Sequence, residues 1–223
     1  MDTTSVFLIL SCLLLLGSSR LRVAIRVVAA QGVLVGLLPL VRSEGNLHLH
    51  IWILAVVIIA TKGFALPWLM SVALRRTRAH REIEPFIGFG ASVLCGVGLF
   101  ALSLWITASL QLTGAEASGL LLTTAFFLVL TGLFLMVSRR KAITQSLAYL
   151  VMENGVYVVG IGMSLESPFL VELGILLDVS VGLFIMGNLL FHLDREFDHL
   201  DADKLTELSD ASSSPDLISE ASE

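Results

Sequence analysis

From Thr3 to about Leu193 the chain alternates long apolar runs with short basic or polar breaks. Each run approaches the roughly 20 residues an α-helix needs to cross a bilayer's hydrocarbon core. The pattern predicts seven spans, at about 3–19, 23–41, 49–74, 85–111, 118–138, 141–164 and 169–193. The first run has the length of a signal peptide, but its charge order is wrong for one. Asp2 precedes it, Arg20, Arg22 and Arg26 follow it, and no convincing small-residue cleavage site ends it, so it reads as a retained helix. From Asp194 onward the material changes: ten acids face only Arg195 and Lys204, and Ser212-Ser213-Ser214-Pro215 follows. Low hydrophobicity with high charge predicts disorder there. Phe197, Leu200, Leu205 and Leu208 fall at roughly helical spacing, so the alternative is a short amphipathic helix beside the membrane. The chain thus divides into a transmembrane bundle over 1–193 and an acidic tail over 194–223.

With 56% of its 223 residues hydrophobic and 15% charged, the chain has too little polar surface for a soluble domain of this size. The expected class is an all-α, polytopic membrane helix bundle. The net charge of −5 misleads as an average, because the excess acid lies in the tail. Basic residues cluster after the first, third and fifth spans, as Arg20, Arg22 and Arg26, then Arg75, Arg76, Arg78 and Arg81, then Arg139, Arg140 and Lys141; the opposite loops offer Arg42. The positive-inside rule therefore puts the N-terminus outside and the C-terminus in the cytoplasm. These cations read as topology signals and headgroup contacts. Cys12 and Cys95 fall within apolar runs, in neither metal nor disulfide spacing, and read as small packing residues. The glycines of 86–98 follow no strand and make no dinucleotide fingerprint. His48, His50, His80, His192 and His199 all lie outside the span centres, which disfavours haem ligation. Neither a phosphate loop nor a metal cluster is evident, so the chain is expected to hold no cofactor. Nothing points to nucleic acid. Segments 19–36 and 138–160 share a basic start, an apolar run and a polar residue followed by Gly-Val, the outline of an internal three-helix repeat.

Three ionisable residues interrupt the apolar runs: Lys62, Glu153 and Asp178. A charged side chain at the bilayer centre costs about 2.5–3.5 kcal/mol on insertion scales and usually faces a bundle interior or a watery cavity. Ser146, Tyr149, Glu153 and Tyr157 follow at steps of three and four, so they share a helix face. Asn154 and, in the second span, Gln31 are further polar residues that could support the charged ones. Gly174, Asp178 and Gly182 share another face, where a neighbouring backbone could approach the acid. Pro67 follows Lys62, lacks an N–H and clashes with the Gly63 carbonyl, which frees that group. For the acids, proton relay is weighed against a purely structural hydrogen-bonding role. Relay is favoured, because Asn or Gln would hold helices together at lower desolvation cost. For Lys62, a relay element and a fixed countercharge to Glu153 or Asp178 are compatible readings.

SRRKAITQSLAYLVMENG (138–155) together with LLDVSVGLF (176–184) resembles the membrane subunit called hydrogenase-4 component E. The C-terminal half is in turn similar to the K subunit of complex I and the C subunit of Mrp-type antiporters. The shared order is a basic pair, Arg139-Arg140, then Glu153-Asn154, then Asp178-Val179-Ser180-Val181-Gly182-Leu183. The resemblance covers roughly residues 1–195, including Thr61-Lys62, and leaves out the tail. In the K-subunit pattern the first acid stands one turn earlier, at the position of Leu150; one turn keeps Glu153 on the same face. The resemblance implies a non-catalytic subunit of a group 4 [NiFe] hydrogenase or formate hydrogenlyase complex in a bacterial or archaeal cytoplasmic membrane. Nickel–iron and iron–sulfur centres would lie on partner subunits, a peripheral hydrogenase or dehydrogenase module beside antiporter-like membrane subunits. Lys62, Glu153 and Asp178 would join a chain of buried charges that translocates protons. The alternatives are an Mrp-type cation/proton antiporter subunit and, less in keeping with the short loops, a stand-alone secondary transporter with Lys62 and Pro67 at its substrate site.

Overall fold

The computed structural model describes residues 2–42, 49–76, 87–110, 119–139 and 142–162, with the isolated positions Gly182 and Met186. The expected seventh span, Asp178 and the acidic tail lie outside the described residues. Among the described residues the regular structure is helical throughout: α1 (Asp2–Gly17), α2 (Leu21–Arg42), α3 (Leu49–Ile58), a π-helical segment (Ile59–Ala65), α4 (Leu66–Arg76), α5 (Phe89–Ser109), α6 (Gly119–Ser138) and α7 (Ala142–Gly162). Every apolar run predicted up to residue 164 is a helix, with ends within about four residues of expectation.

By length and composition four stretches are apolar enough to cross a membrane: Leu21–Val41, Ile51–Arg75, Phe89–Ser109 and Gly119–Ser138. The expectation of seven spans, each near 20 residues, is thus met in part. Helix α1 has 16 residues, about 24 Å at 1.5 Å per residue, short of a ~30 Å hydrocarbon core. Helix α7 has 21 residues, but Thr144, Gln145, Ser146, Glu153 and Asn154 dilute its apolar character. It is sheltered by packing instead, lying against α6 and α2.

The centre of the bundle is apolar and continuous, with Leu8, Leu16, Val35, Leu38, Met70, Leu121, Phe127, Leu128 and Val158 essentially inaccessible. Of these four stretches α6 is the most enclosed, 56% buried against 17% for α5, so α5 lies at the periphery. Several hydroxyls within these helices bond to the main chain of their own helix. Thr123 and Thr124 donate to the carbonyls of Gly119 and Leu120, and Ser103 and Thr107 donate to those of Leu99 and Ser103. Phe100 and Phe127 meet edge to face at 5.4 Å between ring centroids, pinning α5 to α6.

Two close backbone approaches set the geometry around the charged residues. On α6 and α7, Gly132 and Gly155 face the opposing main chain. A Cβ at Gly132 would stand 2.6 Å from the Met152 nitrogen, and one at Gly155 would stand 2.7 Å from the Val129 nitrogen. On α2, Gly32 and Gly36, one turn apart, lie against Lys62 and Ile59 of the π-helical segment. The proposed repeat would make Gln31-Gly32 equivalent to Asn154-Gly155, but Gly32 abuts the helix that follows its own, whereas Gly155 abuts the helix that precedes it. The repeat gains no support from these contacts.

Candidate functional site

The third apolar run is a single helix path with a π-helical interruption at the position of its charged residue. Thr61 folds its hydroxyl back onto the carbonyls of Val57 and Ile58, at 2.9 and 3.2 Å. Such back-bonding loosens and bends a helix. Pro67, just downstream, cannot donate to the Gly63 carbonyl and pushes it aside. The Leu66 N–H consequently bonds to the Thr61 carbonyl five residues back, the pairing that defines a π-turn. The helix break inferred from Pro67 is therefore real, and it takes the form of a widened turn rather than a kinked gap.

That widened turn presents Lys62 to α7. Its Nζ donates to Glu153 Oε1 at 2.5 Å, and both side chains are buried, at 4% and 2% exposure. The Tyr157 ring, one turn beyond Glu153, lies with its centroid 5.9 Å from the ammonium, at the outer reach of a cation–π contact. Three of the residues singled out in the sequence, Lys62, Glu153 and Tyr157, thus come together, and Lys62 is the countercharge of Glu153. Tyr149 is half-buried one turn before Glu153, and Asn154 is buried beside it. Gln31 is buried on α2 but turns the other way, donating to Ser11 Oγ at 2.7 Å and to Cys12 Sγ at 3.6 Å. It ties α2 to α1, while its neighbour Gly32 abuts the Lys62 main chain. Asp178, expected beside them, lies outside the described residues.

An ammonium and a carboxylate taken out of water lose several kcal/mol of hydration each, and their mutual attraction offsets that loss only in close contact. A pair of this kind can hold a proton on either partner without exposing a bare charge to lipid.

Arg139 is a residue whose place the sequence did not reveal. It was expected at the headgroup surface with its neighbours, yet its side chain is 1% exposed. Its Nη2 donates to the Leu16 carbonyl at 3.1 Å, capping the C-terminus of α1, and its guanidinium stacks on Phe89 at 5.0 Å, at the start of α5. Cationic donors at a helix C-terminus satisfy orphan carbonyls and oppose the helix dipole. Arg20, Arg22 and Arg26 remain exposed as expected.

No protein-family model matches the chain, and no solved structure matches it. Hydrogenase-4 component E of Escherichia coli is 28% identical to it over 148 residues, covering 66% of this chain and 68% of that protein. The uncharacterized protein Rv0085 of Mycobacterium tuberculosis is 30% identical over 204 residues, covering 91% of this chain and 93% of that protein. The chain is a helical membrane protein that belongs to the same family as the Mycobacterium tuberculosis protein and is a distant relative of hydrogenase-4 component E.

Proposed function

We propose that this chain is a non-catalytic integral membrane subunit of a hydrogenase-4-type, complex-I-like assembly, and that the Lys62–Glu153 pair is a proton-holding element of its translocation path. The observation that carries this reading is a buried ion pair seated on a π-helical turn, far more costly to maintain than a neutral hydrogen bond serving only to join two helices. The relationship to hydrogenase-4 component E supplies the kind of assembly. In this reading the nickel–iron and iron–sulfur chemistry belongs to a peripheral module on other subunits, antiporter-like membrane subunits lie alongside, and Asp178 extends the path beyond the pair. The N-terminus faces outward and the C-terminus the cytoplasm, following the basic clusters. Membership of an Mrp-type antiporter is the competing reading.

The test is Glu153→Gln in the whole complex, purified and reconstituted in vesicles. Proton relay predicts normal subunit content with proton translocation reduced at least about tenfold relative to electron transfer, the scale of losing one positioned proton carrier. Loss of assembled complex with normal translocation by what remains would make the residue structural. Nickel and iron–sulfur subunits in the same preparation support the hydrogenase assembly, whereas antiporter subunits alone would favour the competing reading.

A further inference from the structure

The cytoplasmic-type end of the bundle holds a second buried charge that the proton path does not use. Arg139 donates one nitrogen to the Leu16 carbonyl, while its Nε and Nη1 have no hydrogen-bond partner among the described residues. Its pKa is pushed down from the ordinary guanidinium range by burial, and a guanidinium stays protonated regardless. Two further buried side-chain oxygens, Ser138 Oγ at the end of α6 and Thr144 Oγ1 in the first turn of α7, are also unpartnered among the described residues. The turn is folded tightly enough that Gln145 Nε2 donates to the Arg139 carbonyl at 3.2 Å, which brings the first turn of α7 up to Arg139.

We propose that Arg139 anchors a phosphate-binding site between the helix ends, occupied by the headgroup of an anionic phospholipid or by free phosphate. An uncompensated buried cation costs several kcal/mol, and water in the same place would fill the donors without neutralising the charge. A phosphate oxyanion does both, accepting from the guanidinium and from the two hydroxyls. The site lies at the ends of α1 and α6, the level at which headgroups meet a membrane protein, and exposed Arg20 and Arg22 flank it in the chain. Basic pockets between transmembrane helices at this level take phospholipid headgroups. The Phe89 ring lies over a face of the guanidinium, its centroid 5.0 Å from Cζ.

The full chain, purified in a neutral detergent and stripped of lipid, is offered phosphatidylglycerol, phosphatidylcholine or inorganic phosphate. Retention is read by native mass spectrometry and stabilisation by the melting temperature. Wild type is expected to retain phosphatidylglycerol and to be stabilised by it, with phosphatidylcholine inert; stabilisation by inorganic phosphate without lipid would assign the site to the free ion. Arg139→Gln is expected to weaken retention by about tenfold or more, the worth of a charge-assisted contact. Arg22→Gln, at an exposed position, should change it little. Should Arg139→Gln fail to fold, Arg139→Lys and the Ser138→Ala/Thr144→Val pair keep the charge while removing donors, and each is expected to weaken retention several-fold. Equal retention by the Arg139 and Arg22 variants overturns the proposal. So does a wild type that no phosphate compound stabilises, or an Arg139-dependent loss of a partner subunit with lipid retention unchanged, which would identify a partner's carboxylate instead.

Discussion

A Cβ placed on Gly32 would stand 2.5 Å from the carbonyl oxygen of Lys62. The main chain of α2 therefore bears directly on the turn that carries the buried ammonium, and nothing flexible lies between them. Gly32→Ala should shift the π-helical segment and cost about 1–3 kcal/mol, the usual penalty for an extra methyl in a packed core. The chain's melting temperature in detergent checks the stability. In the assembled complex, proton translocation should fall further than subunit content, because the displaced group is Lys62.

The ion pair predicts a double-mutant cycle of characteristic shape. Lys62→Met or Glu153→Leu alone removes one half of the buried pair and should cost about 3–5 kcal/mol. The two together remove both charges and should recover most of that loss. Denaturant unfolding of the four chains supplies the coupling energy. The double variant is expected to be stable and inactive in proton transfer, which separates holding the bundle together from moving a proton.

Pro67 and Thr61 share the work of widening the helix ahead of Lys62. Thr61→Val/Pro67→Ala removes both the back-bonding hydroxyl and the missing donor, so the segment is expected to relax to a regular α-helix. Taking one residue out of the widened turn rotates everything on one side of it by about 100°, and Lys62 should leave Glu153. Stability in detergent is expected to fall, because both charges stay in the bundle without their close contact, while the coupling energy between residues 62 and 153 falls towards zero. Unchanged coupling in this variant would show that the π-turn has no part in the pairing.

The glycines offer an internal control. Gly155 meets Val129 and Ala125 main-chain atoms, whereas Gly98 on peripheral α5 faces open space. Gly155→Ala should destabilise by about 1–3 kcal/mol, and Gly98→Ala should be neutral or stabilising by up to about 1 kcal/mol, because alanine favours helix. The difference in melting temperature between the two variants checks this. Equal effects would mean that α6 and α7 do not approach as closely as described.

Much of this architecture was legible beforehand, for a physical reason: in lipid every backbone donor must be satisfied within its own helix, so apolar runs translate almost directly into helices. The common face of Glu153 and Tyr157 was readable from spacing, and the helix disturbance at Pro67 from its missing N–H. That Lys62 would choose Glu153 was not readable, because the choice depends on how α2, α7 and the π-turn pack, and those contacts join residues 91 positions apart. Gln31 shows the same limit, since its partners Ser11 and Cys12 are set by the crossing of α1 and α2. Arg139 misled for another reason. In a run of three cations at a helix end, sequence cannot tell which one turns inward; the orphan carbonyl of α1 decides it. Gly132 and Gly155 carried a signal, a glycine on each of two adjacent spans, that only the pairing of α6 with α7 makes interpretable.

The central claim, that Lys62 and Glu153 share a proton inside the bundle, is tested most directly by isotope-edited infrared spectroscopy of the full chain in lipid vesicles. Glutamate labelling, with Glu153→Gln subtracted, isolates the single carboxyl of interest. The account predicts an ionised Glu153 band at neutral pH in the wild type that becomes a protonated carboxyl band in Lys62→Met. A Glu153 band identical in the two proteins would contradict it.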